Sequence, residues 1–399
     1  MPPPRVAAMA GALLMLLPSP VLRTVPALGT VGVAHGSQAK PGQTQKPKKP
    51  AAAKLAEPWP DAAKLAQRRK NAEARRLFQD VEPLAFTLAA DFKAVNRDRN
   101  YDSAKTFRAV LTVKGQEGSV PAVPLQVNLR TRGSIRLRSD VCAFAPLSIE
   151  FVKQGAKRTV FDGQSKLKLV AHCNENQASD QLVLLEYLAY RLYNLMTPRS
   201  FRVRLARATY VDSNSGRTLS THNALFIEDD DDVARRMEGR AVVMTGLLFK
   251  DFDQESLTLM TVFQYMIGNP DYSIFYMHNV RLVQTAANVR YPITWDFDVT
   301  GLVDPRYAIP IERVRKEIAG VRTRSYLGPC RSVEEFEPTL AAFRAKRAEM
   351  LALVSSIPGL DDAERRKAAE YLQEFFTVTG SKDLVKRELI DTCHDRPMT

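Results

Sequence analysis

Apolar and polar residues alternate along the first half of the chain, and this alternation predicts a series of short β-strands. Leu125, Val127 and Leu129 share one side of such a segment, and later segments repeat the two-residue period. The predicted strands span residues 107–113, 124–129, 147–152, 166–170, 201–211 and 224–227. In the segment 166–170, the same period places Lys166 and Lys168 on one face.

A helical period precedes the first predicted strand, occurs once between the strands, and dominates after residue 254. The predicted helices span residues 61–80, 180–195, 255–267, 333–355, 361–377 and 382–391. Asp180 is expected to cap the second of them. Glu186 adjoins the apolar stripe of that helix, so we expect it to be at least partly buried and to need a cationic partner. A strand-rich half followed by a mostly helical half indicates an α+β fold.

The first 57 residues are read as a targeting segment and a linker. Residues 1–39 contain Arg5 and Arg23, no acids, and a short apolar run, which is typical of a secretory signal peptide. The run is too short and too often interrupted by proline for a membrane span. Residues 40–57 are basic and rich in Pro, Ala, Gln and Lys, which predicts a disordered linker. We therefore expect an exported protein, periplasmic or extracellular, with no transmembrane span in the mature chain.

Most of the positive charge lies near the N-terminus. The formal net charge is +13, of which residues 1–39 supply +2 and residues 40–76 supply +8. The remaining +3 gives little support to nucleic-acid binding by the folded part. Contact between the basic tail and an acidic cell envelope is a partner interaction that this asymmetry allows.

Four cysteines, Cys142, Cys173, Cys330 and Cys393, suggest two disulfides in an exported chain. Three connectivities are open, and the pair Cys142 and Cys173 is favoured because it flanks a predicted pair of strands. No spacing typical of a zinc site accompanies these cysteines.

A group of acid and amide side chains borders the two further predicted strands, 280–284 and 291–294. Asp271 and Asn279 precede the first, and Asp296 and Asp298 follow the second. In phosphoryl transfer, one Asp orients the acceptor hydroxyl, while an Asn and a later Asp bind the metal. Asp271, Asn279 and Asp296 can fill these roles. The alternative is that Asn269-Pro270-Asp271 is a turn and that Asp298 caps a helix or turn.

Two other segments have both a functional and a structural interpretation. Arg132-Gly133 could hold phosphate through a guanidinium and a flexible backbone, or could form a turn with an exposed arginine. The acidic run 228–232 lacks the alternating ligands and the glycine of a calcium loop, so we expect a solvated loop that enters a helix.

The order of these blocks resembles the CotH kinase family, the secreted or spore-coat kinases with an atypical protein-kinase fold. The blocks are Arg130-Thr131-Arg132-Gly133, 166–172, the helix from Asp180, 201–211, Phe226-Ile227-Glu228, Asn269-Pro270-Asp271 with His278-Asn279, and Trp295-Asp296-Phe297-Asp298. The chain would be a divergent member, because Ala143-Phe144-Ala145 lacks the basic residue of many relatives. The resemblance implies a kinase domain over 58–399, with a β-rich N-lobe over about 80–230 and a mostly helical C-lobe over about 231–399.

The resemblance also implies roles for individual residues. Asp271 would be catalytic, Asn279 and Asp296 would hold Mg²⁺ or Mn²⁺, and Lys168 or Lys166 would bind the phosphates of ATP. Glu186 would pair with the lysine. In addition to these roles, we expect Asp298 to be a further metal ligand and Arg132 a further phosphate-binding residue.

The leading hypothesis is thus an exported, metal-dependent kinase that transfers the γ-phosphoryl group of ATP to a hydroxyl of a protein substrate. The alternative is a non-catalytic cell-envelope or surface binding protein on a kinase-like scaffold. A third hypothesis is a metal-dependent hydrolase that uses the same acids.

Overall fold

Seven strands between residues 84 and 227 close into a β-barrel. The computed structural model describes residues 56–113, 123–152, 155–308 and 320–398, so the predicted signal peptide and nearly all of the predicted linker lie outside the described residues. The barrel strands are β1 (Leu84–Ala90), β2 (Phe107–Val113), β3 (Pro124–Thr131), β4 (Leu147–Phe151), β5 (Lys166–Val170), β6 (Val203–Asp212) and β7 (Thr218–Ile227). Their order around the barrel is β1-β2-β3-β4-β5-β7-β6.

The barrel closes through a parallel pairing of β1 with β6, in which Leu88 lies opposite Tyr210. Strand β5 pairs with β7, so that Lys168 lies opposite Ile227. The expected bilobal kinase-like fold, with a β-rich N-lobe and a mostly helical C-lobe, is therefore wrong. The two-residue period indicates which face of a strand is buried, but not which strands pair with it. In addition, β1, which completes the barrel, was not predicted.

A second, three-stranded sheet lies in the half expected to be mainly helical. It consists of β8 (Gly239–Val242), β9 (Val280–Thr285) and β10 (Arg290–Thr294), in the order β10-β9-β8. Strands β9 and β10 form an antiparallel pair in which Val280 lies opposite Thr294. The residues immediately before β9 and after β10 therefore meet at one end of this pair.

The described α-helices are α1 (Ala62–Glu73), α2 (Phe92–Arg97), α3 (Gln177–Met196), α4 (Asp230–Arg236), α5 (Gln254–Met266), α6 (Val333–Ala345), α7 (Arg347–Ser356), α8 (Asp362–Thr379) and α9 (Lys382–Val385). Helix α3 begins earlier than predicted, because Asn176 and not Asp180 accepts the capping hydrogen bond from Ser179. Asp180 lies in its first turn instead, where a carboxylate complements the helix dipole.

Helix α3 joins the barrel to the helical part. It packs against β6 and β7 on one side and against α7 on another. Glu186, in its middle, is only 1% exposed, which confirms that this acid is buried. Tyr190, one turn further on, is also fully buried. The helix thus carries polar side chains through the apolar core towards the end of the β9–β10 pair.

Two disulfides connect the four cysteines. Cys142 bonds to Cys173, as favoured from the sequence, and Cys330 bonds to Cys393. Paired cysteines are typical of an oxidising compartment and are consistent with export. Among the described residues, no helix has the length and apolar character needed to cross a membrane.

Candidate functional site

The acid and amide residues around β9 and β10 line one cleft. Asn279 precedes β9 and Trp295 follows β10, and the backbone amide of Trp295 donates to the carbonyl oxygen of Asn279 at 3.1 Å. This bond places Asn279 beside Asp296. The cleft is lined by Arg132, Gly133, Arg136, Asp271, His278, Asn279, Asp296 and Asp298, with four smaller or apolar neighbours.

Asp271 reaches the cleft from a turn that follows α5. The side-chain oxygen of Asn269 accepts from the backbone amide of Asp271 at 2.9 Å, so this segment is a turn built by an asparagine side chain. The turn does not leave Asp271 in solvent, because its side chain is only 15% exposed. His278 lies 3.1 Å from its Oδ1 atom, and Asn279 donates to its Oδ2 atom at 3.1 Å. The segment is therefore a turn, and it also places Asp271 in the cleft.

Asn279 and Asp296 adopt a left-handed backbone conformation, with φ angles of 51° and 64°. Non-glycine residues seldom occupy this region, although Asn and Asp tolerate it better than most. The backbone amide of Asp296 donates to the hydroxyl of Tyr190 at 2.9 Å, which ties the residue to α3. Backbone strain of this kind concentrates at functional sites, where the surrounding structure maintains it.

Negative charge is concentrated at the inner end of the cleft. Burial raises the pKa of Asp298 to about 7, and the nearby charges of Asp296 and Asp271 add to the effect, although Arg136 and Arg132 oppose it. Burial also raises the pKa of Glu186 well above its usual range, and the charges of Asp298 and Asp296 act in the same direction. Three carboxylates that share one desolvated region repel each other, and a bound cation would relieve that repulsion.

Arg136 is the cationic partner of Glu186, and sequence patterns did not identify it. Its Nη1 atom lies 4.0 Å from a carboxylate oxygen of Glu186 and 4.0 Å from one of Asp298. These distances are too long for hydrogen bonds. Among the described residues, Oε1 of Glu186 has no hydrogen-bond partner. One arginine at this distance leaves the carboxylates only partly compensated.

The lysine expected beside Glu186 lies elsewhere. Lys168 pairs with Asp230 at 2.6 Å, and Arg281 approaches the other oxygen of Asp230 at 3.3 Å. Burial lowers the pKa of Lys168, although Asp230 opposes this effect. Lys166 faces Glu150 across the β4–β5 ladder, two positions along the strand from Lys168.

Trp295 forms a platform for three cationic groups. Its ring centroid lies 4.8 Å from Nζ of Lys168, 4.3 Å from the guanidinium carbon of Arg281 and 5.8 Å from that of Arg132. Cations at these distances are attracted to the face of an indole ring. The indole nitrogen is buried and has no hydrogen-bond partner among the described residues. Positive charge thus lies around Trp295, and negative charge begins at the next residue, Asp296.

The acidic run 228–232 enters a helix, as expected, but it is not the solvated loop that was predicted. Asp229 caps α4, but Glu228 is fully buried between Arg202 and Arg236, at 2.7 and 2.8 Å. Asp232 is also buried and pairs with Arg75 at 3.0 Å. Arg75 and Arg202 are distant from the run in sequence, and Arg236 lies at the end of α4. The sequence of the run therefore does not show that arginines neutralise its charges. Asp230 of the same run is the partner of Lys168.

The residues predicted for the site thus fall into three groups. Asp271, Asn279, Asp296, Asp298 and Arg132 line the cleft. Glu186 lies beside Asp298, where both contact Arg136. Lys168 lies beside Trp295 and pairs with Asp230, and Lys166 faces Glu150.

Comparisons with known proteins do not assign the chain to a family. No protein-family model matches the sequence, and no curated protein matches it. Among solved structures, the chain is similar to one titled as the crystal structure of a Helicobacter pylori proinflammatory kinase CtkA. The two are 9% identical, the match covers 62% of this chain and 89% of that chain, and the TM-score is 0.32. A score this low carries no argument, and the resemblance to the CotH family gains no support from a family match.

Proposed function

We propose that this chain is an exported, metal-dependent kinase that transfers the γ-phosphoryl group of ATP to a hydroxyl group of a protein substrate. One observation carries the proposal. A cleft holds Asp271, Asn279, Asp296 and Asp298, and cationic side chains surround the adjacent Trp295. A nucleoside triphosphate with a divalent metal ion presents the complementary charges, an anionic phosphate chain beside a cation.

The donor set suits a hard divalent cation. Asp296 and Asp298 offer carboxylate oxygens, which Mg²⁺ and Mn²⁺ prefer. The side-chain nitrogen of Asn279 is engaged by Asp271, at 2.7 Å from its carbonyl oxygen, so the amide oxygen is the atom that remains for ligation. The under-compensated carboxylates described above fit the same interpretation. When bound, the metal ion would neutralise charge on the transferring phosphoryl group.

Asp271 is proposed as the residue that orients the acceptor hydroxyl. It is fixed from two sides, because His278 contacts one carboxylate oxygen and Asn279 donates to the other. Its carboxylate can accept the hydrogen of a hydroxyl group placed at the open side of the cleft. A carboxylate held in this way contributes mainly by positioning the acceptor, as in other phosphoryl-transfer enzymes.

The cations near Trp295 are proposed to bind the phosphates. Arg132 is the best placed, because it lines the cleft and its Nε atom is held by the carbonyl oxygen of Leu147 at 3.2 Å. Lys168 is the second candidate, and it would exchange its contact with Asp230 for a phosphate oxygen. Arg281 would then remain to neutralise Asp230. Glu186 is proposed to hold Arg136 at the back of the cleft rather than to pair with a lysine.

The test is phosphoryl transfer itself. The purified mature protein would be incubated with γ-labelled ATP, Mn²⁺ or Mg²⁺, and a mixture of casein, histone and myelin basic protein. Label in protein that disappears on chelation and in the Asp271→Asn variant supports a kinase. Release of labelled phosphate without transfer would favour a hydrolase, and binding of ATP with neither product would favour a non-catalytic binding protein.

A further inference from the structure

A second cluster of metal-binding side chains lies outside the cleft. His172 and Glu175 belong to the segment between β5 and α3, and His222 lies in β7. The Nε2 atoms of His172 and His222 lie 3.1 and 2.8 Å from the two carboxylate oxygens of Glu175. One ligand atom from each of the three residues falls within 4.8 Å of the others. None of the three residues lines the cleft described above.

His222 is held between two carboxylates. Its Nδ1 atom lies 3.2 Å from Oδ1 of Asp180, and its Nε2 atom lies 2.8 Å from Oε2 of Glu175. A neutral imidazole carries one N–H group, so it can donate to only one of these oxygens. The other nitrogen would direct its lone pair at a negatively charged oxygen. A positive charge at this ring, from a second ring proton or from a metal ion, would remove this conflict.

The surroundings favour a metal ion over a proton alone. Asp180 also accepts from the backbone amide of Asn223 at 2.8 Å and faces Arg207 at 3.3 Å, so its position is fixed. A carboxylate that accepts from one histidine nitrogen while the other nitrogen faces a ligand site is the usual outer support of a metal-bound histidine. In addition, two histidine rings stack here with their centroids 3.8 Å apart. The Nε2 atoms of both rings face the carboxylate of Glu175.

His172 provides a second observation. It is completely buried, and among the described residues its Nδ1 atom has no hydrogen-bond partner. Its Nε2 atom contacts the carboxylate of Glu175. Phe144 and Tyr210 surround the ring, at 4.4 and 5.2 Å between centroids. Burial of a polar ring is unfavourable unless its polar atoms are engaged, and Nε2, which faces Glu175, is the nitrogen available to a metal ion.

We propose that His172, His222 and Glu175 form a zinc site that fastens the segment between β5 and α3 to strand β7. Two imidazole nitrogens and one carboxylate suit Zn²⁺, and the half-exposed Glu175 leaves room for water as the fourth ligand. Tetrahedral coordination at about 2.0–2.2 Å separates ligand atoms by about 3.3–3.6 Å. Because the two rings stack with an interplanar angle of 19°, both must rotate for their Nε2 lone pairs to converge on one ion. The site would support the disulfide of the adjacent Cys173 and the first turn of α3.

The experiment is a calorimetric titration of ZnCl₂ into chelator-stripped full-length protein at pH 7.5. Millimolar MgCl₂ is included so that the oxygen ligands of the cleft are occupied. Wild type is expected to bind one zinc ion, and His222→Gln and Glu175→Gln are each expected to weaken binding at least tenfold. Because the Glu175 side chain is 59% exposed, the second substitution should not impair folding. Glu175→Gln therefore still tests the proposal if His222→Gln fails to fold.

Two controls separate this site from the cleft. His278→Gln and Asp296→Asn remove metal-binding groups of the cleft and should leave zinc affinity unchanged. Zinc should also raise the melting temperature of wild type but not of Glu175→Gln, as expected when a ligand binds only the folded state. Absence of zinc binding by wild type would overturn the proposal and assign His222 to a protonated ion pair. Zinc binding that survives both His222→Gln and Glu175→Gln, or that is lost in Asp296→Asn, would also overturn it.

Discussion

The side-chain nitrogen of Asn279 lies 3.1 Å from Oδ2 of Asp271. The two residues lie at opposite ends of the connection between α5 and β9, since Asp271 follows α5 and Asn279 immediately precedes β9. Their hydrogen bond connects the proposed acceptor-orienting carboxylate to a proposed metal ligand. A change at either residue should therefore affect the other, and the variants below are chosen to separate their roles.

Asp271→Asn should abolish transfer while retaining most of the affinity for ATP with Mg²⁺. The substitution removes the acceptor for the substrate hydroxyl but keeps the size of the side chain. We expect the rate of labelled-phosphoryl transfer to fall by about a hundredfold or more, which is within the range for loss of a general base. The Kd for nucleotide, measured by calorimetry, should change much less. A parallel loss of transfer and binding would place Asp271 among the nucleotide or metal ligands instead.

Lys168→Met tests which strand lysine binds phosphate, with Lys166→Met as the matched control on the same face of β5. Removal of Lys168 leaves Asp230 paired with Arg281 at 3.3 Å, so folding should survive. Loss of a charged hydrogen-bond donor to phosphate should weaken ATP binding by about tenfold or more. Lys166→Met should bind ATP as wild type does. The reverse order of the two affinities would assign the phosphate role to Lys166.

Asp298→Asn should change how stability depends on pH in metal-free protein. The folded-state pKa of Asp298 is raised to about 7 from 3.8. A carboxyl group of this kind favours the folded state below its unfolded pKa, and the advantage is lost as pH rises through the folded value. Thermal unfolding in EDTA should show wild type losing more stability than Asp298→Asn between pH 5 and pH 8.

The exposed Asp395→Asn is the control for that comparison and should follow wild type. Addition of Mg²⁺ at pH 8 should raise the melting temperature of wild type and leave that of Asp298→Asn unchanged. Parallel stability profiles for wild type and Asp298→Asn would contradict a buried, partly protonated carboxylate at this position.

The disulfides give a prediction about the thiols. All four cysteines are paired in the described structure, so protein denatured without reductant should show no free thiol. Peptide mapping should recover Cys142 linked to Cys173 and Cys330 linked to Cys393. Replacing Cys142 and Cys173 together by serine should lower the free energy of unfolding by roughly 2–4 kcal/mol. Four free thiols in protein purified from an oxidising compartment would contradict both bridges.

The sequence predicted many elements correctly because their patterns are local. Strand β5 was predicted as residues 166–170 and β2 as residues 107–113, and both agree with the structure. Strand order is not local. The pairing of Leu88 with Tyr210 that closes the barrel joins residues far apart in the chain, and no periodicity reports it. For that reason the bilobal arrangement was wrong although most of its strands exist.

The candidate site, like the fold, was predicted only in part from the sequence. Asp271, Asn279 and Asp296 were expected together because they border two adjacent strands, and the structure brings them to one cleft. The partners of the buried charges were not predictable, because Arg136 reaches Glu186 and Asp230 reaches Lys168 from other elements. The cluster of His172, Glu175 and His222 was missed for a related reason. Its members lie in a connecting segment and in a strand, without the close spacing of a metal motif.

The most direct test of the central claim is a calorimetric titration of ATP into wild type and Asp296→Asn, each with Mg²⁺ and with EDTA. Asparagine tolerates the left-handed backbone of Asp296, where φ is 64°, so the variant should fold. We predict that wild type binds ATP only with Mg²⁺ and that Asp296→Asn binds at least about tenfold more weakly, because a charged metal ligand is lost. Equal binding by the two proteins, or no binding by wild type, would contradict a nucleotide and metal site in this cleft.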